Sequence, residues 1–215
     1  MEFKIENTQV FGLQRSAIAS GNPMRTEIES LDEEGQCTKQ DFKRLMKLSR
    51  TGVGEGHDQA LTGCIVQFDL YAPLYMWKQI QRYHWMDFIS SQSTMHRLTQ
   101  FKVKECCVED TDELILARYQ ELLDFYNNFD ETYLQYEFTD DKDTEKKRLW
   151  RRLVASLPSG FVLGATMTTN YRQLKTIYNQ RKNHKLKEWK EFCNWIERLP
   201  HSDLFLDMIS LDKNN

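Results

Sequence analysis

Proline and glycine are scarce in this chain. Four Pro and nine Gly among 215 residues leave little material for long flexible linkers. The formal net charge is only -3, so the excess of phosphate-neutralising cations that binding to long nucleic acid requires is missing. No apolar run is long enough to span a membrane, and the first residues show no signal-peptide pattern, so a cytoplasmic protein is expected. The five cysteines (Cys37, Cys64, Cys106, Cys107 and Cys193) lack the spacing of zinc ligands. No metal site is therefore expected, and an odd number of thiols is most simply a reduced set. Cys106 and Cys107, being adjacent, are poorly placed to bridge. The glycines at positions 52, 54 and 56 have no Lys-Ser or Lys-Thr after them, which favours a plain loop over a phosphate cradle.

What is present fits a single domain spanning residues 1–215 with a sizeable core. Alternating apolar residues over 3–13 predict a strand or strand pair, and Ser20-Gly21-Asn22-Pro23 predicts a turn. Thr38 is placed to cap a helix carrying Phe42, Leu45 and Met46. A strand is expected over 64–71; Pro73 then stops it and suits the first turn of a helix. Residues 114–125 read as an amphipathic helix with Leu114, Leu122 and Phe125 on its stripe. The charged run 137–147 reads as a solvated loop leading into a helix through 150–157. A strand over 161–169, a helix capped by Thr169 or Asn170 and ending near Arg181, and a last helix through Trp189, Phe192 and Trp195 complete an α+β pattern.

The segment 72–97 is the most informative. It opens as an amphipathic helix, carries Gln79, Arg82 and His84, and continues through a polar run, Ser90-Ser91-Gln92-Ser93-Thr94, to Arg97. In a helix Gln79, Arg82 and Met86 share a face, and Lys78 and Arg82 stand one turn apart, a repulsion that an anion relieves. Far downstream, Asn170, Leu174, Ile177 and Arg181 share a face with Tyr178 alongside. A cation ending an apolar stripe snorkels, meets the last carbonyls or answers a buried anion. Two separated segments rich in planar, multi-donor side chains point to an anionic, ring-bearing ligand such as a nucleotide; the alternative is a pair of solvated faces.

Arg82-Tyr83-His84 followed, after a short insertion, by the run from Ser90 to Arg97-Leu98 is similar to the motif that opens Arg-His-Arg and closes Ser-x-Asn-Glu-x-Ser-x-Arg-Tyr in the flavin-dependent thymidylate synthases. Leu157-Pro158, then Thr168-Thr169-Asn170-Tyr171-Arg172-Gln173-Leu174, Arg181, and the pair His184 and Glu188 resemble the same family in order and spacing. The resemblance is clearest over 43–198. It implies an α+β fold with a small antiparallel sheet packed with several long helices, and a homotetramer. It also implies FAD as cofactor, dUMP as substrate, methylenetetrahydrofolate as carbon donor and NADPH as reductant. Carried over by position, Gln79, Arg82, Arg97 and Arg181 would hold dUMP, with Arg97 toward the phosphate. Arg82 and Arg181 would face the pyrimidine as the catalytic pair. Tyr83, His84, Asn170, Arg172 and His184 would contact FAD. The chain departs from the family at Gln92, Ser93 and Met95, where the family has Asn, Glu and Ser, at Tyr83 and His84, where the family has His and Arg, and at Gly63 and Val154, where the family has His and Arg. These departures leave two alternatives open: a related flavoenzyme for another pyrimidine nucleotide, and a non-catalytic nucleotide-binding or structural homologue.

Overall fold

The computed structural model describes residues 1–28, 37–52, 55–129 and 142–206. In chain order these form β1 (Lys4–Phe11), α1 (Leu13–Ala19), α2 (Lys39–Ser49), β2 (Ile65–Pro73), α3 (Leu74–Ile80), β3 (Asp87–Ser91), the short α4 (Thr94–Arg97) and α5 (Val103–Cys106). They continue with α6 (Glu113–Asn127), α7 (Lys142–Ala155), β4 (Val162–Asn170), α8 (Tyr171–Arg181) and α9 (Lys187–Glu197). A 3-10 segment, His57–Gly63, precedes β2. The strands make one antiparallel sheet in the order β1-β2-β4-β3. The two central strands alternate buried and half-buried residues, whereas every residue of the edge strand β3 is exposed.

The chain divides into two compact units, each holding part of the sheet. In the first (residues 1–4, 71–80 and 90–165) the core gathers Leu98, Val103, Cys106, Cys107, Tyr119, Leu123, Leu153 and Phe161. Tyr119 donates its hydroxyl to the Leu153 carbonyl at 3.2 Å, so its polar end is satisfied inside that core. In the second (5–70, 81–89 and 166–215), Phe68 of β2 meets Phe192 and Trp195 of α9 at ring distances of 6.2 and 4.5 Å. Each such ring taken out of water stabilises by roughly 1.5–3 kcal/mol. Gly12, between β1 and α1, has φ 76°, and a Cβ there would lie 2.2 Å from the Gly63 carbonyl oxygen; only glycine fits.

The predicted caps hold. Thr38 caps α2 in a reciprocal box with Asp41: the Asp41 N–H donates to the Thr38 hydroxyl oxygen at 3.2 Å, and the Thr38 N–H donates to the Asp41 carboxylate at 2.9 Å. Asn170 caps α8, its side-chain oxygen accepting the Gln173 N–H at 2.9 Å. Hydrogen bonding from the Thr38 hydroxyl outweighs burial and, with Arg44 adding to it, holds the Asp41 carboxyl down at about 2. Because the folded value lies below the ordinary one of about 3.9, this contribution is full above about pH 5 and is lost as pH falls through about 2. Thr38→Ala is expected to cost about 1 kcal/mol in urea unfolding near neutrality. That deficit should shrink as the pH is lowered through 4 to about 2; an equal deficit at both ends would show that Asp41 is not coupled to the cap.

Three expectations need correction. The helix after Pro73 ends at Ile80, so Gln79 lies on it but Arg82 and Met86 do not share its face. Residues 81–86 turn, and the chain then pairs as β3, a position that suits Phe88 and Ile89 better than a helix would. The predicted stripe on α6 holds only in part: Leu122 packs against the core, but Leu114 is 80% exposed, and Leu116, Tyr119, Leu123 and Tyr126 also face the core. Two apolar sets run along that helix, and periodicity alone does not rank them. Residues 142–147 belong to α7 rather than to a loop, because Lys, Glu and Asp there are compatible with a helix whose inner face is Glu145, Leu149 and Leu153. Residues 137–141 lie outside the described residues, as do 53 and 54 of the glycine loop. Of the two alternatives for residues 3–13, the single strand is the one found, as β1, with Leu13 starting α1.

All five cysteines are free thiols. Burial pushes the Cys107 thiol up to about 11, which keeps it protonated and unreactive inside the core. No helix among the described residues is long and apolar enough to cross a membrane.

Candidate functional site

Most of the predicted site residues meet in the second unit. The turn between α3 and β3 places Arg82, Tyr83, His84 and Trp85 opposite Gln173, Thr176, Gln180 and Arg181 of α8, around a cavity of about 460 Å³. A second cavity, of about 530 Å³, is lined by Asn170 at the end of β4, by Arg172, Gln173 and Thr176 of α8, by Asp58, Gln59 and Thr62 of the 3-10 segment, and by Ile65 and Trp85. The two adjoin, sharing Trp85, Gln173 and Thr176.

Arg181 is held in one orientation. Its Nε donates to the Tyr83 hydroxyl at 2.8 Å, and Tyr83 in turn donates to Oε1 of Gln180 at 3.0 Å. The guanidinium lies 4.7 Å from the centroid of the Trp189 ring and 5.6 Å from that of Tyr83. A planar cation fixed by a hydrogen bond on one edge and an aromatic face loses little freedom when it binds an anion or a carbonyl. Arg82 and His84 are exposed at the same cavity.

Arg172 is anchored from the opposite side. Its Nε donates to Oδ1 of Asp58 at 3.0 Å and its guanidinium to Oε1 of Gln59 at 2.9 Å. Asp58 is itself buried against Lys175, whose ammonium donates to Oδ2 of Asp58 at 3.0 Å and to the carbonyls of Ser49 and Thr51 at 2.8 and 2.9 Å. Burial alone would raise the Asp58 carboxyl, but Lys175 and Arg172 outweigh it and hold it below its ordinary value. The carboxylate in the cavity wall is thus already neutralised by two cations. His184 lies beyond α8 and packs edge-on to Trp189 at 6.3 Å. Burial, and then the Arg181 charge, lower its pKa. Its Nδ1 accepts the Leu186 N–H at 3.1 Å, so the neutral ring carries its proton on Nε2.

Gln79 and Arg97 lie in the first unit. Gln79 is half-buried on α3, and Arg97, exposed at the end of α4, donates to Gln100. The neighbouring departures have local explanations. Ser93 caps α4, its hydroxyl oxygen accepting the His96 N–H at 3.2 Å, while Met95 is exposed. Gln92 exchanges hydrogen bonds with the Gly164 backbone, its own N–H donating at 2.9 Å and its side-chain oxygen accepting at 2.9 Å. In the second unit, a Cβ on Gly63 would lie 2.4 Å from the Ser16 hydroxyl oxygen, so a histidine there would displace that serine.

Sequence reasoning missed Asp58, Gln59, Trp85, Gln173, Thr176 and Lys175. Trp85 and Gln173 adjoin predicted residues, and Thr176 is one turn beyond Arg172, a usable signal. Asp58 carries no local signal at all.

No family model matches the chain, and no curated protein matches it. Solved structures do. The chain is similar to the flavin-dependent thymidylate synthase ThyX from Helicobacter pylori complexed with FAD and dUMP, with a TM-score of 0.64 and 16% identity, over 95% of this chain and 98% of that one. A second structure, Thymidylate Synthase X (ThyX) from Helicobacter pylori with FAD and dUMP, gives a TM-score of 0.66 and 15% identity, over 98% of this chain and 100% of that one. The fold is that of ThyX. At this identity the likeness covers the fold, whereas binding and chemistry have to be argued from the side chains.

Proposed function

We propose that the protein is a divergent flavin-dependent enzyme that transfers a one-carbon unit to C5 of a pyrimidine nucleotide, dUMP by the resemblance. FAD would be its cofactor, methylenetetrahydrofolate its carbon donor and NADPH its reductant, in a cytoplasmic homotetramer. The observation that carries this reading is the pair of adjoining cavities in one unit. One is walled by Arg82, Tyr83, His84 and Arg181, the other by Asn170 and Arg172. The structural neighbours are described with FAD and dUMP.

The side chains fit both groups. Arg172 and Asn170 bring donors to the larger cavity, and the one carboxylate among its described lining residues, Asp58, is neutralised by Lys175 and Arg172. An anionic cofactor therefore meets no uncompensated negative charge among the described lining residues. Flavin, when bound, supplies the hydride and electron chemistry. The protein's part is to hold and orient. Arg181, fixed by Tyr83 and Trp189, and Arg82 would hold the pyrimidine and stabilise negative charge that develops on it as C5 attacks the carbon donor. The resemblance alone assigns Gln79 to the nucleotide and Arg97 to its phosphate. Tyr83, His84 and His184 would stand on the flavin side, with His184 neutral near pH 7.

A second reading, a related enzyme for another pyrimidine nucleotide, is favoured by Ser93 and Met95. Ser93 is committed to a helix cap and Met95 offers no hydrogen bond where the family has Glu and Ser, the change expected if base recognition had shifted. An absorption spectrum of the purified protein before and after FAD addition tests the common core of both readings. Flavin bands that persist through gel filtration are expected, followed by dUMP-dependent turnover with methylenetetrahydrofolate and NADPH. Turnover with a different pyrimidine nucleotide alone would select the second reading. A colourless protein that takes up no FAD would overturn both and leave a non-catalytic role.

A further inference from the structure

We propose that Trp85 is the ring-stacking platform for the isoalloxazine of a bound flavin, a role that rests on the flavin reading above. Trp85 belongs to the segment where this chain is longer than the motif it resembles, so it has no counterpart there. Its indole is 64% exposed, although the residues around it are firmly seated. The next residue, Met86, is buried, and the buried Thr169 donates its hydroxyl to the Trp85 carbonyl at 2.6 Å. The backbone is thus pinned from both sides while the ring stays in the open. A large apolar ring left in water is unfavourable, and one whose main chain is already anchored has little freedom left to lose on binding.

Its position selects the ligand chemistry. Trp85 lines both cavities, between the cluster around Arg181 and the cluster around Arg172. For carbon or hydride to pass, a flavin ring and a pyrimidine have to meet, and the wall common to both cavities is where they would do so. Of the two, the three-ring isoalloxazine has the area to cover an indole, and an offset stack with it removes both apolar faces from water. The specific outcome is spectroscopic, because an indole stacked on a flavin quenches its emission and a phenyl ring does not.

FAD is titrated into the full-length protein and into Trp85→Phe and Trp85→Ala, with flavin emission, binding curve and gel-filtration elution recorded for each. The wild type should quench flavin emission strongly at saturation. Trp85→Phe should bind FAD within about threefold of wild type yet show clearly higher emission, with the residual quenching left to Tyr83, and Trp85→Ala should weaken binding roughly twofold to tenfold. If the wild type binds FAD and both variants match it in emission and affinity, the flavin reading stands and the stacking assignment falls. If the variants change only the elution volume, Trp85 serves contact between copies of the chain and the assignment falls equally. If the wild type binds no FAD, the flavin reading fails and takes the assignment with it.

Discussion

Arg181→Ala is expected to weaken dUMP binding by more than about 1 kcal/mol, at least roughly fivefold in Kd, measured by calorimetry at fixed salt. The argument is one of preorganisation. In the folded protein the guanidinium is already set by Tyr83 on its edge and by the Trp189 ring at 4.7 Å on its face, so binding costs it little further order. Truncation removes a charged donor and leaves the Tyr83 hydroxyl oxygen without the hydrogen bond from Nε. Arg181→Lys keeps the charge but not the planar fork, and should recover only part of the loss. Arg181→Ala also strips a cation from Trp189, so the thermal midpoint is recorded beside the affinity. Unchanged affinity in a folded variant would remove Arg181 from the nucleotide site.

The largest effect on stability is expected at Lys175. Its ammonium is buried and bonded to two backbone carbonyls and to Asp58. Lys175→Met fills similar volume but leaves Asp58 buried with Arg172 as its remaining ion-pair partner and strands the carbonyls of Ser49 and Thr51. Breaking a buried pair from one side costs about 3–5 kcal/mol, far more than the intact pair contributes relative to apolar residues. Urea unfolding should therefore show a midpoint lowered by an amount equivalent to several kcal/mol at an unchanged slope. Adding Asp58→Asn should return part of that loss, since the uncompensated charge is gone, although Arg172 would then lose its anchor. A deficit under about 1 kcal/mol for Lys175→Met would mean that water reaches this site and that the pair is not the clamp described here.

Much of the candidate site is legible in the sequence. Arg82, Tyr83, His84, Asn170, Arg172 and Arg181 were singled out by planar, multi-donor chemistry and by motif order, and they line two adjoining cavities. The mode of presentation was not visible. Arg82 is offered by a turn rather than by a helix face, because the chain leaves helical geometry after Ile80 to pair as β3. Arg172 was legible as a cation but not as one tied to Asp58, which lies 114 residues earlier.

The sequence by itself determined the features whose partners lie within about one helical turn. The capping box of Thr38 and Asp41, the Asn170 cap, the stop at Pro73 and the α+β alternation are of this kind, since a cap or a turn is a contest among neighbouring backbone groups. Tertiary structure decided which face of α6 is buried, that residues 87–91 pair as an edge strand, and that Lys175 is a buried ion-pair partner rather than a surface lysine. It also decided that Trp85 stands at a wall common to both cavities, its carbonyl bonded by Thr169 from 84 residues away. The physical reason is the same in each case: burial, strand pairing and charge neutralisation are settled by a distant partner, and local periodicity carries no record of where that partner will be.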